Sequence, residues 1–411
     1  MIPSPTLADP AAATRSALAA LPAAKHILPG MRVAVGAGSR GIADYDVIVR
    51  TVCEELKRLG AEVFIVPAMG SHGGATAEGQ VGVLASLGID EASTGAPILA
   101  SMETVQLGET AEGIPVLLDK IAADSDGIVV VNRIKPHTEF TGPVQSGLLK
   151  MLVIGAGKHQ GALAAHRYSV TRRWRNAGPA VARELIRKAP LLCGLGILEN
   201  AYDETAEVVA VWPEDFEAVE AGLLQRACEL LPRLPFDQLD ILIVDESGKE
   251  MSGSGMDTNI IGRRMIVGEP EPDTPKITRI VLRSLSEHTY GNAIGVGLAD
   301  FVTRRVSDRI DLRPTYINCL TAMTPEKARL PMTGENDREA IEWAFLTMGP
   351  VAPEWARVVR IQNTLHPDLF YASEALWPEI QANPRLRICG EPEALRYDDG
   401  GWLAPDKMPQ M

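Results

Sequence analysis

The sequence is poor in several of the residues that define other protein classes. Five cysteines, Cys53, Cys193, Cys228, Cys319 and Cys389, are scattered through 411 residues without a C-x-x-C pair. An odd, dispersed set argues against a disulfide framework, a zinc knuckle and a cysteine-ligated iron–sulfur cluster. Aromatics make up 5% of the chain against 46% hydrophobic residues overall, so the cores must be aliphatic. No run of about 18 apolar residues is present to span a bilayer, and the Ala/Pro-rich start lacks the basic region of a secretory signal. A soluble, cytoplasmic protein is expected. Positive charge is also scarce: 40 Lys and Arg face 53 Asp and Glu, a net −13. Such a field repels nucleic acid and anionic membrane, and neither is expected as a partner. No G-x-S-x-G elbow, P-loop or short-period repeat occurs.

What is there reads as α/β. At roughly 150 residues per domain, 411 residues amount to about 2.7 units. Three apolar runs, RVAV at 32–35, EVFIV at 62–66 and GIVVV at 127–131, each lead into a loop rich in glycine or charge. The first two loops are followed by helical patterns. Runs without polar alternation suit strands buried on both faces of a parallel sheet. The expected fold is two α/β domains, the N-terminal one a mostly parallel, doubly wound sheet, with the active-site cleft between them. Helical segments are expected near 170–189 and 214–231, after which LPRLP at 231–235 breaks the pattern. The boundary is placed there, giving domains 1–235 and 236–411. Beyond it, LDILIV, TRIVLRSL, AIGVGLAD and ARVVRIQ read as strands, with helices around 300–306 and 337–348.

Open parallel sheets bind ligands outside the carboxyl ends of their strands. The three N-terminal strand-end loops hold Arg40 in GAGSRG, His72 in GSHGG, and Arg133, Lys135 and His137 in NRIKPH. Three cations and two histidines in so acidic a chain imply an anionic ligand, phosphate or carboxylate. Taken singly, His72 suits a turn and His137 a loop as well as they suit catalysis. GAGSRG also matches G-x-G-x-x-G at Gly36, Gly38 and Gly41, but the second strand ends in Pro67, Ala68 and Met69, without the acidic residue a dinucleotide ribose requires. The stretch 132–166 carries His137, His159 and His166. It also carries Lys150, set in the apolar run SGLLKMLVIGAG. Either this lysine snorkels to solvent or its amine is desolvated and available for covalent chemistry.

Taken together these residues resemble the nickel-pincer lactate racemase family of 2-hydroxy-acid racemases and epimerases. The shared features are the Ser39-Arg40 pair after a strand, the Gly70-Ser71-His72 loop about thirty residues later, and His137 followed by Ser146-Gly147-x-x-Lys150. His166 then follows, 16 positions beyond the lysine. Glycine and alanine replace the family's acidic residue ahead of Ser39, so the chain reads as a divergent member. The resemblance implies an isomerase, a nickel-dependent racemase or epimerase of a small 2-hydroxy acid. Lys150 would tether a nickel-pincer nucleotide, and Arg40, Ser39, Gly73, Ser146 and Gly147 would bind it. His166 would ligate the Ni, with His159 a competing ligand, and His72 and His137 would be paired acid/bases. Arg133, Lys135, Asn259 and Arg264 are candidate substrate contacts. Lys249, Arg263, His288, Asn292 and Asp300 are weaker ones. Cofactor-synthesis enzymes are implied partners, and a homo-oligomer is possible. Two other readings stand beside this one: an NAD(P)-dependent oxidoreductase using the GAGSRG loop, and a non-catalytic nucleotide- or anion-binding protein.

Overall fold

A computed structural model describes residues 4–21, 26–39 and 41–403. The chain forms two compact units, one ending at Leu231 and the other beginning at Pro232.

In the first unit the strands β1 (Arg32–Ala37), β2 (Glu62–Pro67), β5 (Gly127–Arg133), β6 (Leu191–Glu199) and β7 (Thr205–Val211) make one sheet in the order β2-β1-β5-β6-β7. All neighbours run parallel except β6 and β7. A separate antiparallel hairpin joins β3 (Thr104–Glu109) to β4 (Pro115–Asp119). Successive residues of one strand enter opposite layers. Ala34, Phe64, Ile128 and Val130 join one core with Leu148, Trp174 and Leu185, while Val33, Val35, Ile65 and Val129 join another with Ile48, Val52 and Leu84. Covering both faces with helices is why these strands read as unbroken apolar runs.

The second unit contains β8 (Gln238–Val244), β9 (Lys276–Leu282), β10 (Phe301–Thr303), β11 (Met332–Gly334), β12 (Val358–Ile361) and β13 (Phe370–Ala372), ordered β11-β10-β9-β8-β12-β13. Only the β12–β13 pair is antiparallel. Leu242 and Val244 face one core and Ile241 and Ile243 the other. Both units are therefore α/β. Among the described residues no helix is long and apolar enough to cross a membrane.

Two expectations on secondary structure need correction. AIGVGLAD is not a strand. Gly295 sits at φ +91° with Ser254 O where a Cβ would be, and Val296–Leu298 closes a 3₁₀ turn. The strand follows it at Phe301–Thr303, and the helix expected around 300–306 is confined to Arg304–Ser307. The helical stretch expected near 170–189 is split by Arg173 at φ +63°, between the Lys158–Arg172 and Trp174–Lys188 helices.

Candidate active site

The carboxyl ends of β1, β2 and β5 carry Ser39, the 68–74 loop and the 132–147 loop side by side, because these three strands are adjacent. Tyr45 ties the first to the third: its hydroxyl accepts from Gly38 N at 2.7 Å and donates to Val131 O at 2.9 Å. Arg40 lies outside the described residues. Gly36 is paired inside β1, and the next helix starts only at Tyr45. GAGSRG therefore does not open a helix at its third glycine, as a dinucleotide loop does.

His72 stands on a turn after β2. Its Nδ1 donates to Met69 O at 2.8 Å, so the neutral ring carries its lone pair on Nε2. Gly73, at φ +64°, has backbone of Gly79 and Gln80 where a Cβ would stand, so the loop itself demands glycine there.

His137 is held the other way round. Its Nδ1 accepts from Glu139 N at 3.0 Å and Phe140 N at 3.1 Å, which places the proton of the neutral ring on Nε2. The ring stacks on Phe140 at 4.3 Å between centroids, and Phe140 stacks on buried Trp174 at 4.4 Å. The loop folds back on β5: Asn132 Nδ2 donates to Gly147 O at 2.8 Å, Lys135 N to Ser146 O at 2.9 Å, and His137 N to Gln145 Oε1 at 2.9 Å.

Lys150 is half-buried and runs into a π-helical turn, Met151–Gly155, of the kind that recurs at functional sites. Gly70 N donates to Gly155 O at 3.0 Å, binding this turn to the His72 loop. His166 packs against Phe140 at 5.5 Å. Burial pushes its imidazole below the ordinary pKa. The Glu139 carboxylate opposes that shift, and the Lys150 ammonium adds to it. His137 and His166 thus meet on Phe140, His166 feels the Lys150 charge, and the loop that carries His72 is bonded through Gly70 to the turn that follows Lys150. His159 is exposed on its helix.

Other candidate residues are engaged within the fold. Arg133 pairs with Glu199, whose other oxygen accepts from Ala43 N at 2.7 Å. In the second unit Asn259 Nδ2 donates to Asp257 Oδ1 at 3.0 Å, and Arg264, 8% exposed, donates to Pro270 O at 2.8 Å. Arg263 is paired with Asp300 at 2.8 Å, and Lys249 donates to Asn318 Oδ1 at 2.8 Å. Asn292 Oδ1 accepts from Ile294 N at 3.3 Å. His288 N donates to Ser286 Oγ at 3.1 Å, in the turn ahead of Thr289.

Sequence reading misses the supports beneath these loops. Lys158, fully buried, lies 2.9 Å from Asp119 Oδ2 and donates to Pro67 O and, at 3.2 Å, to Gln80 Oε1. Gln80 Nε2 in turn donates to Gly70 O at 2.8 Å and His72 O at 3.4 Å. Glu220, 1% exposed, accepts from Leu149 N at 3.0 Å, and its carboxyl fills the space a Gly147 Cβ would take. A lysine at the Gly-flanked start of a helix gives no hint of this, and Gln80 and Glu220 carry no motif at all.

Residues 17–177 match the family model described as the lactate racemase N-terminal domain. In fold, the chain is similar to the lactate racemase apoprotein from Thermoanaerobacterium thermosaccharolyticum. The TM-score is 0.57 at 13% identity, over 89% of this chain and 94% of that one. No curated protein sequence matches it. Residues 17–177, which hold His72, His137, Lys150 and His166, are thus similar to the N-terminal domain of the lactate racemase family.

Proposed function

We propose that the protein is a nickel-dependent racemase or epimerase of a 2-hydroxy acid. The observation that carries this reading is the opposite tautomers of His72 and His137 on loops at the same end of one sheet. Racemising a 2-hydroxy acid needs a group that takes the hydroxyl proton and returns it, and it gains from a second group that hydrogen-bonds the oxygen meanwhile. Nε2 of His72 would take the hydroxyl proton and give it back once the hydride has returned, while Nε2–H of His137 would hydrogen-bond the substrate oxygen without losing its proton. The family match over the residues that carry both rings supports the same reading.

The residues also fit a lysine-tethered metal group. Burial shifts the His166 imidazole below its ordinary pKa against the pull of Glu139, the direction that favours the neutral ring a nickel ligand needs. Among the described residues no group of three or more His, Cys, Asp or Glu is placed to hold a metal unaided, so the remaining donors would come from the nucleotide. Lys150 would hold that nucleotide through its amine and His166 would ligate the Ni. Ser39, Gly73, Ser146 and Gly147 border the same strand ends. When bound, the group supplies an electrophilic ring that accepts the Cα hydride and returns it to either face. The chain's own part is to bind the acid, keep the two imidazoles in fixed tautomers and move the hydroxyl proton.

Intact-protein mass, nickel analysis and a chiral assay on short 2-hydroxy acids test this after co-expression with cofactor-synthesis enzymes. Nickel, an adduct on Lys150 and interconversion of enantiomers are expected. An unmodified mass under those conditions would overturn the reading.

A further inference from the structure

The corner between the Lys158–Arg172 and Trp174–Lys188 helices holds a cluster of cations that the proposed chemistry leaves unused. A cavity of about 440 Å³ opens there, lined by Glu112, Thr171, Arg172, Arg173, Arg175 and Asn176. The three arginine side chains have no hydrogen-bond or ion-pair partner among the described residues. Cations further along the same helix behave differently. Arg183 pairs with Glu217 at 2.7 Å, Arg187 with Glu184 at 2.6 Å and Lys188 with Glu184 at 3.2 Å. In a chain of net charge −13, three arginines that line one cavity without a carboxylate partner make it a locally positive site that favours an anion.

The backbone gives a second, independent sign. Arg173 holds φ +63° and ψ +147°, a conformation that glycine adopts and side-chain-bearing residues avoid. Glycine would make the same helix-to-helix corner without strain, yet an arginine stands there, and its side chain lines the cavity.

We infer that this corner binds a multivalent oxyanion, the phosphate group of a small molecule. Planar guanidinium groups pair with phosphate oxygens two at a time, and the cavity is large enough for an organic substituent beside the phosphate. Glu112 is the one acid among the lining residues and opposes binding. The inference is independent of the racemase reading, since none of its residues takes part there. It does adjoin the candidate site, because Trp174, between Arg173 and Arg175, ends the ring stack that supports His137.

Titration calorimetry of the full chain with inorganic phosphate, pyrophosphate and a simple phosphate ester, at constant ionic strength, tests it. Saturable one-to-one binding is expected. It should weaken about tenfold or more in Arg173→Gln/Arg175→Gln and strengthen severalfold in Glu112→Gln. Stronger binding of the ester than of inorganic phosphate identifies an organic ligand, and the reverse order identifies a free anion; both support the site. If the double variant folds poorly, Arg173→Gly decides: it should unfold at a higher temperature than the parent yet bind more weakly. No saturable binding up to about 10 mM, or binding unchanged in the arginine and Glu112 variants, would overturn the inference.

Discussion

His72 donates from Nδ1 to the Met69 carbonyl, whereas His137 accepts two backbone N–H groups at the same ring atom. The two neutral imidazoles are therefore locked as opposite tautomers by main-chain atoms. Neither can exchange roles with the other without breaking those bonds.

This asymmetry sets the first prediction. His72→Ala and His137→Ala should each lower racemisation by at least about 10²-fold, the usual share of positioned acid–base catalysis, and leave the Lys150 adduct intact. His137→Gln keeps an N–H near the Nε2 position and should retain more activity than His137→Ala. His72→Gln, which puts an amide where a base is needed, should be as poor as His72→Ala. Chiral assays with intact mass check all four. Equal losses in His137→Gln and His137→Ala would show that the donor assignment is wrong, and loss of the adduct that the residue holds the cofactor.

The second prediction concerns Lys158 and Asp119, 2.9 Å apart and almost completely buried. Burial lowers the lysine's pKa, and the carboxylate beside it acts the other way. Removing one partner strands the other charge, which costs about 3–5 kcal/mol. Lys158→Met should show a loss of that order in denaturant unfolding, and Lys158→Met/Asp119→Leu should recover much of it. Gln80→Leu removes the donor to the Gly70 and His72 carbonyls. It should cost about 1–3 kcal/mol and reduce kcat while the adduct forms normally.

The strand ends that hold these loops are legible in the sequence because their chemistry is local: an apolar run, a glycine-rich loop, a histidine or cation at a short offset. Ser39, His72 and His137 all fall where that pattern puts them. Long-range pairing is not legible. Arg133 stands close to Lys135 and His137 in the sequence, yet its partner Glu199 is 66 positions away on β6. Gln80 looks like an ordinary helical glutamine until Lys158 reaches it from 78 residues on. AIGVGLAD fails for a different reason. Its apolar residues are buried, as a strand's would be, but Gly295 packs so tightly on Ser254 that the backbone turns. Composition records the burial and not the turn.

Glu220 yields a pH prediction. Burial raises its carboxyl from 4.5 to about 7, against the opposing pull of the Leu149 and Leu148 N–H groups. Below about pH 4.5 the folded and unfolded chains both hold this proton. Between there and pH 7 only the folded chain does, so stability falls as pH rises through that window and levels off above it. The full effect is about 3 kcal/mol. Urea unfolding at pH 5, 6, 7 and 8 should show this decline in the parent protein. In Glu220→Gln it should be absent, with higher stability at pH 8. An identical slope in both proteins would place its origin elsewhere.

In the second unit, Arg283 and Asp337 form a two-pronged pair, Nε to Oδ1 at 3.0 Å and Nη2 to Oδ2 at 2.7 Å. Arg283 also reaches Asp245 Oδ1 at 2.7 Å, and Arg360 grips the same carboxylate through two bonds of 2.8 Å. These four side chains clamp the ends of β8, β9 and β12 to the Asp337–Thr347 helix, and Asp337 also accepts from Leu403 N at 2.8 Å. Asp337→Ala would leave a buried guanidinium short of its partner and a main-chain N–H unsatisfied, a loss of about 3–5 kcal/mol. Because every residue involved lies beyond Pro232, the damage should be local. Hydrogen exchange should quicken in β8, β9 and β12 while β1, β2 and β5 keep their protection. Uniform loss of protection across all six strands would show that the two units unfold as one.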